Sequence, residues 1–323
     1  MLRVPFFLYI GLKNFSRSGY ERAARSFDPK ATECDLHGVS VMVTGANQGI
    51  GLQVSLELAK RGATLYMVCR NEVRGAQAVS SIMEKTGNAN VHLKICDISS
   101  LDAVKSLGDE FKQSQLPIHV LVNNAGLMVH GGERSKDGIE MNFATNTLGT
   151  YYLTRVMEPV LRKSAPARVI FVSSGGALTE DLEINDLEGK RIQASKDFGT
   201  KQYARDKRRQ LAIVERLALE WSDCGIGVYA MHPGWTETEG VKTSIPGFYS
   251  AMKNRLRSLE QGADTIVWLS VRPMSELKSG EFYLDRSPQS KHLPLSGTRY
   301  SPDLTAQLIK KLDAVVQQKK VVD

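Results

Sequence analysis

Between residues 38 and 285 the chain alternates short apolar runs with longer stretches of helical periodicity. The runs are Val39–Thr44, Ala63–Cys69, Val91–Cys96, Ile118–Asn123, Arg168–Ser173, Ile226–His232 and Glu281–Leu284. Most are continuously apolar rather than alternating, as strands buried on both faces should be. The helical stretches fall near 50–61, 71–86, 101–115, 137–163, 203–223 and 259–270. Strand–helix–strand repetition predicts an α/β fold, a doubly wound parallel sheet of about seven strands with helices on both faces. A single domain over 38–290 absorbs nearly all of it. Residues 1–37 remain as a basic, apolar helical extension and 291–323 as a C-terminal loop and helix. That last helix is signalled by Ser301-Pro302-Asp303, a cap followed by proline, and by a stripe of Leu304, Leu308, Leu312 and Val315.

The formal charge of +7 is unevenly spread: residues 1–27 hold Arg3, Lys13, Arg17, Arg22 and Arg25 against Glu21 alone. The rest of the chain is close to balanced and has no basic stripe interleaved with aromatics, so no nucleic-acid partner is expected. Cys34, Cys69, Cys96 and Cys224 lie far apart with no Cys-x-x-Cys pair, which favours reduced thiols, an intracellular location (cytoplasmic or organelle-associated) and no metal site. Val4–Leu12 is too short to span a bilayer, and no small-residue cleavage site follows it. Val4, Phe7, Leu8, Leu12 and Phe15 would share one helix face. Three readings of that face stand together: contact with an anionic membrane surface through residues 1–27, an organelle presequence, or a helix packed on the main domain.

The first predicted strand runs directly into Thr44-Gly45-Ala46-Asn47-Gln48-Gly49-Ile50-Gly51, which opens a helix. In that context glycines permit a tight turn and a close backbone approach to a pyrophosphate, held at the positive end of the helix. About 20 residues further on, a cofactor with a free ribose 2′-hydroxyl would call for Asp or Glu. The chain has Cys69-Arg70-Asn71 instead, and Arg70 suits a 2′-phosphate, so NADP(H) is expected over NAD(H). Asp97 follows the third strand, where an adenine edge could bond it. Asn123-Asn124-Ala125-Gly126 ends the fourth strand, Ser173-Ser174 the fifth, and His232-Pro233-Gly234 the sixth. Asn146 sits within a helical stretch, where asparagine costs stability and should have a use, such as holding a water. Tyr203 and Lys207 are one helical turn apart, and an ammonium beside a phenol lowers the phenol pKa.

Taken alone a Tyr-x-x-x-Lys pair is common on ordinary helices. Here it comes with Thr-Gly-x-x-x-Gly-x-Gly, Asn-Asn-Ala-Gly, a helical Asn, a Ser and Pro-Gly, all in order over residues 38–285. The chain thus resembles the short-chain dehydrogenase/reductase family, with its Rossmann-like fold. Ser18-Gly19-Tyr20-Glu21, Met231-His232-Pro233-Gly234-Trp235, Glu260-Gln261-Gly262-Ala263-Asp264 and Asp285-Arg286 with His292-Leu293-Pro294-Leu295 narrow the resemblance to one branch of it. The resemblance implies a catalytic set of Asn146, Ser174, Tyr203 and Lys207. In it Tyr203 is the acid/base, Ser174 bonds the substrate oxygen, Lys207 binds the nicotinamide ribose and Asn146 keeps a relay water. It also implies that Thr44, Gly45, Asn47, Gln48, Gly49, Ile50 and Gly51 cradle the dinucleotide. Arg70, Asp97, Asn124, Ala125 and Gly126 join them, with Pro233, Gly234 and Thr236 near the nicotinamide. One departure is clear: 29 positions separate Ser174 from Tyr203, and Thr179–Lys201 reads as an insertion over the mouth of the site.

The expected activity is hydride transfer between NADP(H) and the carbonyl or alcohol group of a small, lipophilic molecule. The apolar, aromatic stretch Ile245-Pro246-Gly247-Phe248-Tyr249, with Met252 and Leu256, falls where such folds place a substrate lid. An NADP(H)-binding sensor or scaffold with little turnover is the alternative, and an epimerase or dehydratase a more distant one. The resemblance leaves room for a homo-oligomer.

Overall fold

The computed structural model describes residues 3–320. Its eight strands are β1 (Ser40–Thr44), β2 (Thr64–Cys69), β3 (Val91–Ile95), β4 (Val120–Asn123), β5 (Ala167–Val172), β6 (Ile226–Met231), β7 (Phe282–Leu284) and β8 (Ser287–Gln289). They form one sheet in the order β3-β2-β1-β4-β5-β6-β7-β8, parallel except for β8, which runs back against β7. The expectation of about seven strands is thus exceeded by one. β8 is exposed throughout and contains Pro288, as an edge strand tolerates.

Helices α1 (Arg3–Ile10) and α2 (Arg17–Ala24) precede the sheet. Then α3 (Gly49–Ala59), α4 (Glu72–Thr86), α5 (Leu101–Ser114), α6 (Thr150–Lys163) and α7 (Phe198–Glu220) follow the first five strands in turn. α8 (Glu239–Ser244), α9 (Pro246–Met252) and α10 (Leu259–Val271) separate β6 from β7, and α11 (Pro302–Lys320) is the tail. Side chains of α3, α4 and α10 pack on one sheet face, while α5, α6, α7 and α11 pack on the other. The central strands β1, β4, β5 and β6 are covered on both sides, which is why their apolar runs are nearly unbroken. Several helix starts are set by local chemistry: Asn71 and Ser100 cap α4 and α5, and Ser258 with Gln261 makes a capping box on α10.

Of the three readings of the N-terminal segment, the structure displays the packed one. Phe15 is buried, which is worth about 1.5–3 kcal/mol. Its carbonyl accepts from Trp235 N at 2.7 Å and from Arg257 Nε at 3.0 Å. Arg257 also reaches the carbonyl of Asn14 at 2.7 Å and forms a two-point ion pair with Asp285 at 2.6 and 2.9 Å. Among the described residues no helix is long and apolar enough to cross a membrane.

Candidate active site

The strand order reverses direction between β1 and β4, so the chain leaves these neighbours toward opposite sides and a crevice opens at their carboxyl ends. The turn after β1 is shaped by Gly45 at φ +64°. A Cβ on Gly51 would lie 2.4 Å from both Asn124 Nδ2 and the Gly45 carbonyl oxygen, so no side chain fits there. The Thr44 hydroxyl accepts from Asn124 N at 3.0 Å and from Ala125 N at 2.9 Å. Asn124 Nδ2 returns a bond to the Thr44 carbonyl at 2.9 Å. Thr44 is fully buried beneath the crevice, so it clamps the two turns together rather than lining the cavity as expected.

The cavity above that clamp is about 340 Å³. Gly45, Asn47, Gln48, Gly49, Ile50 and Gly51 form its floor, and Asn124, Ala125 and Gly126 its far wall. Arg70 and Asp97 stand at the end beyond β2 and β3, and Arg70 is exposed with no ion pair among the described residues. Asp97 Oδ1 accepts from Ser99 N and Oγ at 2.9 and 2.8 Å. At the start of α3 Gln48 offers no side-chain cap, which leaves first-turn amides directed at the cavity.

At the other end stand Tyr203 and Lys207, on α7, which begins five residues before Tyr203. Lys207 Nζ donates to the Val172 carbonyl at 2.7 Å and lies 5.4 Å from the centre of the Tyr203 ring. The Ser174 hydroxyl lies near enough to the Tyr203 phenol to draw its pKa down, and accepts from Gly176 N at 3.2 Å. The ammonium was expected to lower the phenol pKa; burial instead pushes Tyr203 up to about 12, with the nearby Ser174 hydroxyl drawing it down and the Asp206 charge adding to the rise. Burial also presses Lys207 down to about 8, against the pull of Asp206. With Lys207 bonded to a carbonyl and set over the ring face, desolvation outweighs the attraction between the two side chains.

Asn146 lies in a widened, π-type turn, Phe143–Gly149, where a regular helix was expected. It is fully buried, accepts from Leu127 N at 2.9 Å and donates to the Leu127 carbonyl at 2.8 Å. Both ends of its amide are therefore engaged with one backbone segment. A Cβ on Gly126 would lie 3.1 Å from Asn146 Oδ1 and 3.5 Å from Lys207 Nζ, so these two flank the same glycine.

A second cavity, of about 510 Å³, meets the first at Tyr203, Ser173 and Pro233. Ser174, Gly234 and Thr236 line this compartment and not the first cavity. Thr236 donates to the Pro233 carbonyl at 2.9 Å and so shapes the turn. Thr179, Glu180 and Asp197 bring the long segment before α7 to the cavity, joined by Thr200 and Lys201 of the first turn of α7, while Ile245 and Phe248 line it from the expected lid. That long segment is held by Arg209, fully buried, which donates to the carbonyls of Glu183, Asp186 and Leu187 at 2.8–3.0 Å and pairs with Asp206 at 2.9 Å. Sequence reasoning missed Met128, Val241 and, above all, Val4, Phe7 and Leu8 of α1 as lining residues. The apolar face of α1 was visible; its destination was not.

A sequence model of short chain dehydrogenases matches residues 40–183. Dehydrogenase/reductase SDR family member 12 of Bos taurus is 43% identical over 311 residues, 96% of each chain. Retinol dehydrogenase 12 of Mus musculus is 32% identical over 256 residues, 79% of this chain and 80% of its own. Among solved structures, L-sorbose reductase of Gluconobacter frateurii, complexed with NADPH and L-sorbose, aligns at TM-score 0.63 and 21% identity over 78% of this chain and 96% of its own, a likeness of fold. On this evidence the chain belongs to the short-chain dehydrogenase/reductase family, oxidoreductases that bind nicotinamide cofactors.

Proposed function

We propose that the protein is an NADP(H)-dependent oxidoreductase acting on the carbonyl or alcohol group of a lipophilic small molecule, with Tyr203 as acid/base. The observation that carries this is the position of Tyr203 on the wall shared by the two cavities, with Ser174 beside it in the second and Lys207 over its ring.

The residues of the first cavity fit a dinucleotide. Gly45 and Gly51 keep side chains out of the path of a pyrophosphate, and the open end of α3 offers it amides. Arg70 meets a 2′-phosphate, and the nearest following carboxylate, Glu72, is already in the first turn of α4. Asp97 Oδ2 is left for an adenine amine. When bound, the nicotinamide gives or takes the hydride.

The protein's own groups manage the proton. A phenol held near 12 is protonated at neutral pH, so Tyr203 stands ready to give its proton to a carbonyl oxygen as the carbon is reduced. Ser174 donates to the same oxygen, and Lys207 lends positive charge as negative charge grows there. In oxidation Tyr203 takes the proton back. Trp235, Phe248, Ile245 and Met128 around the second cavity support a lipophilic substrate, as does a relative named for retinol, a lipophilic alcohol. NADPH consumption with a panel of aldehydes and ketones tests the reading; tight cofactor binding with no turnover on any of them would favour a sensor or scaffold.

We extend the proposal to the outer side of the N-terminal segment, α1 and the residues just after it. Tyr9 is 61% exposed and Leu12 42%, next to Lys13, a pattern that supports contact with an anionic membrane surface. Co-flotation with vesicles containing acidic lipid, and its loss in Tyr9→Ser with Leu12→Ser, checks this.

A further inference from the structure

We infer that α1 is a wall of the substrate cavity and that Phe7 and Leu8 determine which carbonyl compounds it admits; this rests on the acid/base role proposed for Tyr203. A segment that precedes the whole sheet in sequence thereby becomes part of the site. Val4, Phe7 and Leu8 line the second cavity together with Tyr203, Ser174 and Trp235.

The contacts that place this wall are specific. Phe7 stands edge-on to Trp235 with ring centroids 6.4 Å apart, and Trp235 meets Phe248 of α9 edge-on at 5.1 Å. Three remote segments thus make one aromatic row along the cavity. Gly11 lets the row close: a Cβ there would lie 2.2 Å from Trp235 Cζ2. Both ends of α1 are tied down, each to a segment that lines the cavity. Beyond its C-terminal end, Trp235 and Arg257 hold the Phe15 carbonyl at 2.7 and 3.0 Å. At its N-terminal end Arg3 makes a two-point pair with Asp181 at 3.0 Å, and Asp181 adjoins Glu180 on the cavity rim. The helix is therefore held against the cavity at both ends, with Val4, Phe7 and Leu8 facing it. Its C-terminal tie is buried, whereas the Arg3–Asp181 tie is partly exposed and contributes little.

A wall of Phe7, Leu8 and Trp235 discriminates by the apolar body of the substrate rather than by its carbonyl, because only a long or bulky molecule reaches from Tyr203 to α1. A short aldehyde reacts at Tyr203 without touching it. Leu8 is 45% exposed, so replacing it does not open the core.

The test uses the full-length chain and NADPH with the straight-chain aldehydes propanal, hexanal and decanal. Leu8→Asp and Phe7→Ala are each expected to lower kcat/KM for decanal about tenfold, chiefly through KM, with propanal changed less than about twofold. NADPH affinity stays the same. In parallel, binding of the fluorescent apolar probe 1-anilinonaphthalene-8-sulfonate, and its displacement by decanal, reports the wall without any turnover. Equal losses on all three aldehydes, or none on decanal, overturns the inference. If no aldehyde is consumed yet Leu8→Asp abolishes decanal-sensitive probe binding, the wall stands and the Tyr203 reading falls. If turnover is brisk and indifferent to Phe7 and Leu8, the wall falls and that reading stands.

Discussion

Phe15 of the N-terminal segment stands edge-on to His232 at the end of β6, their ring centroids 4.5 Å apart and their planes at 90°. The contact seals the imidazole, which is 3% exposed and whose two nitrogens have no hydrogen-bond partner among the described residues. Burial, reinforced by the Arg257 charge, pushes His232 down to about 3.

That depression couples stability to pH. Between about 6.5 and about 3 the unfolded chain binds a proton at His232 and the folded one does not, so acidification through this window favours unfolding. His232→Leu should remove that contribution. The stability of the wild type relative to the variant is expected to fall by about 1.4 kcal/mol per pH unit as pH drops from 6 to 4, measured by urea unfolding. Parallel stability curves would contradict it.

The Arg257–Asp285 pair should behave as a buried ion pair. Arg257 is 1% exposed and Asp285 8%. Arg257→Met strands the Asp285 carboxylate and removes the guanidinium bonds to the carbonyls of Asn14, Phe15 and Ser16. A loss of about 3–5 kcal/mol is expected in chemical denaturation, with faster amide exchange over residues 3–24. A loss under about 1 kcal/mol would show that the N-terminal segment is held mainly by its aromatic contacts.

Arg70 is the discriminating residue for cofactor choice. Arg70→Ala is expected to weaken NADPH binding about 10- to 100-fold, the equivalent of losing charge-assisted hydrogen bonds, while NADH affinity changes little. Fluorescence titration with both cofactors reads the result, and equal losses for the two would assign Arg70 a purely structural part.

Lys207 gives a second pH dependence, of opposite sense. Its ammonium is present below about 8 and lost above it. In the reductive direction kcat/KM for NADPH is expected to be level below that value and to decline as pH rises through it. Lys207→Arg, if active, should carry the decline to higher pH. A profile that stays level to pH 9.5 would mean that burial lowers Lys207 less than the geometry indicates.

Much of this was legible in the sequence, for reasons that differ by element. β1 and β5 were readable because strands covered on both faces must be apolar at every position, and Val41–Val43 and Val169–Val172 are. β8 was not: Ser287-Pro288-Gln289 carries no apolar signal, and its pairing follows from Asp285 and Arg286 turning the chain back at φ +51° and +60°. The Phe143–Gly149 turn was read as ordinary helix. A Cβ on Gly149 would lie 1.9 Å from the Ile98 carbonyl oxygen, a close approach that only the tertiary fold reveals. Gly45, Tyr203 and Lys207 stood out in the sequence because the chemistry they suggest depends on local spacing. The clamp role of Thr44, the burial that sets the Tyr203 and Lys207 pKa values, and the route of α1 to Trp235 all depend on residues remote in the chain, which spacing does not encode.

On the proposed reading one phenol, that of Tyr203 at the junction of two cavities, moves the proton that accompanies hydride transfer. The most direct measurement is NADPH consumption with the best carbonyl substrate, comparing wild type with Tyr203→Phe and titrating NADPH into both. Loss of turnover by about 10²- to 10⁴-fold with unchanged NADPH affinity is the expected result. Turnover within a few-fold of wild type in Tyr203→Phe would contradict it.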